Sequence, residues 1–156
     1  MLPHELCARL TNASVARHRF VGVVPSSQHL SLLTLLLSHG FLTSLHYGTA
    51  DTSSASTPPV PAAFPHARLT DRRIWAELKY RHDRPVLQSM ALVSKPSRRV
   101  VMDSDEVRRF VRGNRVRFVA GLRQGEIGVV RTNQGWMEGR EAVSRALGGE
   151  LVARVG

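Results

Sequence analysis

Gly125-Glu126-Ile127-Gly128-Val129-Val130-Arg131-Thr132-Asn133-Gln134-Gly135-Trp136-Met137-Glu138 is the stretch on which the fold of the second half of this chain turns. Ile127 to Thr132 is short, β-branched and apolar, the composition of a strand, and Asn133-Gln134-Gly135 is a tight polar loop after it. Glu138 to Leu147 has helical composition, Gly148-Gly149 is expected to terminate that helix, and Glu150 to Val155 is short and β-like. Working outward, Gly121-Leu122-Arg123-Gln124-Gly125 is turn-forming and separates Ile127 from a further strand predicted over Arg115 to Ala120. Before it, Asp103 and Glu106 have the spacing of a capping box ahead of Val107, Phe110 and Val111, which predicts a short helix. Ser94-Lys95-Pro96-Ser97 reads as a turn.

Towards the N-terminus, Leu2, Leu6 and Leu10 recur at four-residue spacing with Ala13 continuing the stripe, so residues 3–16 read as an amphipathic helix started by Pro3. Phe20 to Val24 is a short strand stopped by Pro25. Ser26 or Ser27 can cap a helix presenting Leu30, Leu33, Leu36 and Leu37, ended by Gly40 in the left-handed conformation. Three further strands are predicted over Phe41 to Tyr47, Arg73 to Tyr80 and Val86 to Val93. Residues 48–66, with four prolines and few large apolar side chains, read as an exposed, mobile loop. The class is therefore α+β in two small lobes: an N-terminal α-β-α-β-β-β lobe over 1–94 and a β-rich lobe with short helices over 95–156.

The chain has 156 residues, 42% of them hydrophobic, enough for a real core and against wholesale disorder. Its 22 basic and 12 acidic residues give a formal charge of +10, and 20 of the bases are arginine. A polyanionic partner follows, nucleic acid first and an acidic membrane surface second. Arginine's planar fork suits phosphates and base edges, although GC-rich coding produces the same bias. Residues 1–70 hold 4 bases and 2 acids, residues 71–156 hold 18 and 10, so the polyanion should meet the second half.

Other chemistries find little support. The longest apolar run, Leu30 to Leu42, is interrupted by Ser31, Thr34, Ser38 and His39 and is shorter than the roughly 18 residues of a membrane span. The histidines His4, His18, His29, His39, His46, His66 and His82 lack the pair spacing of a metal site. Cys7, the single cysteine, excludes an internal disulfide and lies in the apolar stripe of the first helix, the place of an inert buried thiol. Gly121, Gly125 and Gly128 are followed by no Gly-Lys-Ser/Thr and read as turns rather than as a phosphate loop. Asp103, Asp105 and Glu106 are read as a helix start rather than a magnesium site.

Three basic clusters remain: Lys95, Arg98 and Arg99 in one turn; Arg108, Arg109, Arg112, Arg115 and Arg117 running on from a helix; and Arg131 before Thr132-Asn133-Gln134-Gly135-Trp136. The last is the most specific. A loop offering a hydroxyl, two amides, free backbone N–H groups and an indole can bond base edges and 2′-hydroxyls while stacking an unpaired base.

The residues from Gly125 to Ala142, followed by Gly148-Gly149-Glu150-Leu151, resemble the C-terminal signature of the small-subunit ribosomal protein eight family, which has a Ser-Thr-Ser-x-Gly loop, a helix start with Glu-Ala and a Gly-Gly-Glu strand. Leu78-Lys79-Tyr80, Ser94-Lys95-Pro96-Ser97-Arg98-Arg99-Val100 and Thr11-Asn12-Ala13 resemble further family motifs in the expected order, as do Val23-Val24-Pro25-Ser26 and Gly40-Phe41. The resemblance spans nearly the whole chain outside 48–66. It implies a two-lobed structural constituent of the ribosome that binds the central domain of small-subunit rRNA early in assembly. Its further partners would be neighbouring small-subunit proteins. It implies no catalytic activity, cofactor, metal, membrane or small-molecule substrate. Carried over, Thr132, Asn133, Gln134 and Gly135 would read the RNA, supplemented by Lys95, Arg98 and Arg99; the basic clusters and the loop composition add Arg131, Trp136, Arg115 and Arg117 to the expected RNA-binding residues. Four positions depart from the pattern: Arg131 and Asn133 replace the two loop serines, Glu138 a capping threonine and Ser97 the glycine of the turn.

The Pro/Ser-rich insertion, the Arg-for-Lys usage and the altered loop imply a mitochondrial ribosome, with a bacterial or plastid member as the competing source. The family's first helix begins almost at Met1, so the acid-poor N-terminal helix is itself the expected import signal. A stand-alone RNA-binding regulator that retained the fold is the alternative function.

Overall fold

The computed structural model describes residues 3–50 and 65–156, with side chains from Glu5 onward. The body of the predicted insertion, 51–64, lies outside the described residues. Its N-terminal edge does not: Gly48 and Thr49 close a strand. The chain divides into two compact units at Gln88/Ser89.

The first unit contains α1 (Pro3–Val15), β1 (Phe20–Val23), α2 (Ser27–Ser38), β2 (Leu42–Thr49), β3 (Arg72–Leu78), β4 (Tyr80–Arg81) and β5 (Arg84–Pro85). In α1 the expected stripe buries Leu6, Leu10 and Ala13, and Cys7 is buried beside them with its thiol pushed up to about 11 by loss of solvent. In α2 the buried set is His29, Leu32, Leu33, Leu35 and Leu36, while Leu30 is 36% exposed and Leu37 half-buried. The core face is therefore rotated from the one read off the leucines. His29 tolerates burial because its Nδ1 hydrogen-bonds Val24 C=O at 3.0 Å. Gly40, at φ 78, ends the helix as expected: its N–H donates to Leu37 C=O and Phe41 N–H to Leu36 C=O, a Schellman motif. The strands form an antiparallel sheet ordered β1-β3-β2. Beyond β3, the two-residue turn His82-Asp83 has φ 47 and 59 and joins β4 to β5, the positive-φ geometry that suits a right-twisted hairpin.

The second unit contains β6 (Met90–Leu92), β7 (Val101–Met102), α3 (Ser104–Val111), β8 (Ile127–Thr132), β9 (Gly135–Glu138), α4 (Gly139–Ser144) and β10 (Gly149–Val155). Its antiparallel sheet runs β6-β10-β8-β9, with β7 beside the other end of β10. This corrects the predicted strand Val86 to Val93. Only Met90–Leu92 is extended, and it pairs with Val155–Ala153, while Ser89 and Gly156 exchange backbone hydrogen bonds at 2.7 and 2.9 Å. The strand belongs to the second unit, so the division falls before Ser89 rather than after residue 94, and the first unit lacks its expected last strand.

The strand expected over Arg115 to Ala120 is instead a tight turn. Val116 and Val119 exchange N–H···O=C bonds of 3.0 and 2.9 Å, and both side chains are buried, three residues apart, a spacing no extended strand can place on one face. Gly148-Gly149 also has a different task from the one expected. The left-handed residue after α4 is Ala146, at φ 53. A Cβ on Gly148 would stand 2.7 Å from Met102 O, and one on Gly149 2.4 Å from Arg131 O, so the pair lets backbones approach where β10 begins.

Val107 and Phe110 of α3 and Ala142 of α4 pack with Val130, Met137 and Leu151 to form the core of this unit. α3 starts as predicted, on a capping box in which Asp103 N–H donates to Glu106 Oε2 at 3.1 Å. α4 starts on Glu138, whose buried carboxylate accepts from Arg140 N–H at 2.8 Å and so does the work of the family's threonine.

Candidate nucleic-acid interface

The sheet of the second unit is apolar on its helical face because Val130, Met137 and Leu151 point there. By the alternation of a strand, their neighbours point the other way. The pairings Val101↔Glu150, Glu150↔Arg131 and Arg131↔Trp136 line up four such residues in one row across β7, β10, β8 and β9. Val101 is 56% exposed, Arg131 is exposed, and Glu150 and Trp136 are half-buried. Arg131 Nη2 lies 3.3 Å from Glu150 Oε2. The indole N–H of Trp136 has no hydrogen-bond partner among the described residues.

At one end of the row β8 turns into β9. Thr132 pairs with Gly135, Asn133 and Gln134 make the turn with negative φ, and Gly135, at φ 116, absorbs the twist. The Thr132 hydroxyl donates to Gly135 C=O at 3.0 Å and accepts from Gln134 N–H at 3.1 Å. Its single proton is thus committed within the turn, which leaves one lone pair of the oxygen to accept a further bond. Asn133 and Gln134 are exposed and their side-chain amides have no partner among the described residues.

The other end of the row leads to two further tight turns. Lys95 and Arg98 exchange backbone bonds of 3.0 and 2.9 Å around Pro96-Ser97, and Ser97 needs no positive φ, so the turn closes without the family's glycine. The guanidinium of Arg98 lies 3.5 Å from the ring centroid of Phe118, itself 46% exposed. Stacking of this kind holds the plane and leaves the N–H edge directed outward. Lys95, Arg99 and Arg115 are exposed beside these turns, with Arg115 Nε held by Arg117 C=O at 3.2 Å.

Arg117 differs from the rest. Its Nε and Nη2 clamp both oxygens of Glu106 at 3.0 and 2.9 Å, and Nη1 reaches Val101 C=O at 3.4 Å. This bidentate pair ties the turn to the start of α3, a structural duty. The expected site residues therefore fall into two groups, Arg131 to Trp136 and Lys95 to Arg99 with Arg115, bridged by Arg117 and Val101. Phe118, Val101 and Glu150 were not singled out in the sequence. Phe118 and Arg98 stand twenty residues apart, and no local pattern announces their contact. Arg108, Arg112 and Arg140 gather elsewhere, round a hollow of about 180 Å3 beside Val111 and Val143.

Among the described residues no three His, Cys, Asp or Glu side chains are grouped as metal ligands, and no helix is long and apolar enough to cross a membrane. Ser44 and His46 meet Glu77, but Ser44 Oγ donates to the Glu77 carboxylate at 2.6 Å, so the hydroxyl proton is directed at the acid and not at the imidazole, the reverse of a nucleophilic triad.

Comparison with known proteins covers almost the entire chain. The sequence pattern of the family described as Ribosomal protein S8 matches residues 4–155. A small ribosomal subunit protein uS8m of Schizosaccharomyces pombe is 34% identical over 152 residues, which span 97% of each chain. A uS8m of Neurospora crassa is 34% identical, over 97% of this chain and 95% of its own. The bacterial small ribosomal subunit protein uS8 of Chlamydia caviae is 31% identical, over 97% of this chain and 92% of its own.

Proposed function

The chain belongs to the ribosomal protein S8 family and is a structural constituent of the small ribosomal subunit, not an enzyme; on that premise we propose that the second unit grips the central domain of small-subunit rRNA with the exposed row and the turns at its two ends. Asn133 and Gln134 offer amide donors and acceptors to base edges and 2′-hydroxyls. Trp136 offers a stacking face for an unpaired base, and Lys95, Arg98, Arg99 and Arg115 supply cations for phosphates. Arg131 changes partner on binding, from Glu150 to a phosphate. The observation that carries this reading is the row Val101, Glu150, Arg131 and Trp136, which ends in a turn whose two amide side chains have no partner among the described residues. The protein works in the mitochondrial matrix, a placement supported by its likeness to the two fungal mitochondrial proteins.

The test is equilibrium binding, across salt concentrations, to a central-domain fragment of small-subunit rRNA from the source compartment and to a scrambled RNA of equal length. The cognate fragment is expected to bind at least about tenfold tighter, and Asn133→Ala with Gln134→Ala to lose about 1–3 kcal/mol per base contact at an unchanged salt slope. Equal binding of both RNAs, vanishing with salt, would mean a non-specific polycation and end the reading.

A further inference from the structure

The first unit has a strand edge that no described strand covers. Among the described residues β1 pairs with β3 alone. The bond from Leu78 N–H to Arg19 C=O, 2.8 Å, sets the parity of that antiparallel ladder: residues 19, 21 and 23 turn their backbone polar groups to β3, and Phe20 and Gly22 turn theirs outward. No described residue bonds those outward groups.

A groove of about 950 Å3 runs along this edge, walled by Arg9 and Asn12 of α1 and by Ala16 just after it, and lined also by Phe20, Gly22 and Trp75. A Cβ on Gly22 would lie 3.2 Å from the Trp75 indole, so the ring lies flat against the bare Gly22 backbone. Its N–H is held by Thr49 C=O at 3.2 Å. Arg9 and Arg73 reach the groove with no acidic partner among the described residues, and Arg73 Nη1 bonds only the carbonyls of Thr70 and Arg72, at 2.6 and 2.7 Å. Glu5 is the one acid among the described lining residues and is already engaged.

We infer that this groove receives an extended, acid-bearing segment of a neighbouring small-subunit protein, which adds to β1 as a further strand. The main chain of the segment bonds the N–H and C=O groups of Phe20 and Gly22, and its carboxylates meet Arg9 and Arg73. The edge itself decides for a peptide over RNA: half of its outward groups are carbonyl oxygens, which repel phosphate but match the N–H groups of a peptide.

The experiment uses small subunits isolated with the full chain carrying Ala16→p-benzoylphenylalanine. Irradiation is expected to attach another subunit protein at a segment richer in Asp and Glu than in Lys and Arg. The yield should fall at least fivefold with Arg9→Glu and Arg73→Glu, and stay within twofold of the parent with Arg9→Lys and Arg73→Lys, which serves as the comparison if the glutamate pair is not incorporated. Amide exchange at Phe20 and Gly22 should slow at least a hundredfold between free protein and subunit. An adduct to RNA, to a basic segment or to residues 51–64 of the same chain overturns the inference, as does no adduct or unchanged exchange.

Discussion

Replacing Thr132 by alanine separates a residue that shapes the turn from one that reads RNA. The side chain makes two neutral hydrogen bonds inside the turn, to Gly135 C=O at 3.0 Å and from Gln134 N–H at 3.1 Å. Each contributes about 0.5–1.5 kcal/mol, and because the site is half open to water the pair together is placed at about 1–2 kcal/mol. That is a factor of roughly 5–30 in the equilibrium between the closed and frayed turn. Hydrogen exchange of the Gln134 amide in the full chain should accelerate by that factor. RNA affinity should drop by about the same factor or less, since fraying lowers the fraction of turns ready to bind, and the salt slope should not change. Thr132→Ser keeps the hydroxyl and should restore both readouts, whereas Thr132→Val should restore neither. Loss of affinity without faster exchange would refute the reasoning and return the hydroxyl to direct contact with RNA.

Gly128→Ala would place a Cβ 2.7 Å from Phe110 Cε1. Thermal unfolding should show an overpacking cost of about 1–3 kcal/mol, partly relieved by adding Phe110→Leu. Burial pushes the Glu126 carboxyl up, but the Arg123 N–H and the Arg154 guanidinium outweigh it and hold it below the usual carboxylate range. Its stabilising effect is complete above the unfolded pKa and is lost as pH falls through the lower folded one, so Glu126→Gln should flatten the acid limb of a stability profile between roughly pH 5 and 3. Arg98→Ala should lower the magnitude of the RNA salt slope by about 1, uniformly across sequences, while a change confined to one base position would argue against a phosphate contact. Cys7, with its thiol near 11, should resist alkylation at pH 8 in the folded protein and react once it is unfolded.

Local chemistry carried much of this structure into view. The capping box at Asp103 and Glu106, the Gly40 stop and the strand Ile127–Thr132 each rest on groups within a few residues of one another. The failures rest on distant partners. Val86 to Val93 looked like one strand by composition, but which residues extend was decided by β10, some sixty residues on. Val116 and Val119 looked like strand residues, yet both turn into a core supplied by α3 and β8. At the site, the exposed amides of Asn133 and Gln134 could be read directly. The second roles of Arg117, held by Glu106, and of Arg131, beside Glu150, could not, because a charge in a sequence does not show its counter-ion.

β10 touches β6, β7 and β8 at once. During synthesis the ribosome releases residues 90–132 before 149–155, so three strands wait with unpaired edges until this last one appears. At about 5–20 residues per second that interval is on the order of seconds. Folding of the second unit is therefore timed by its final strand, and a chain stalled before Gly149 would leave the exposed row unassembled: Val101 and Arg131 would have no Glu150 between them to bring their strands together. An incomplete chain thereby lacks the assembled face.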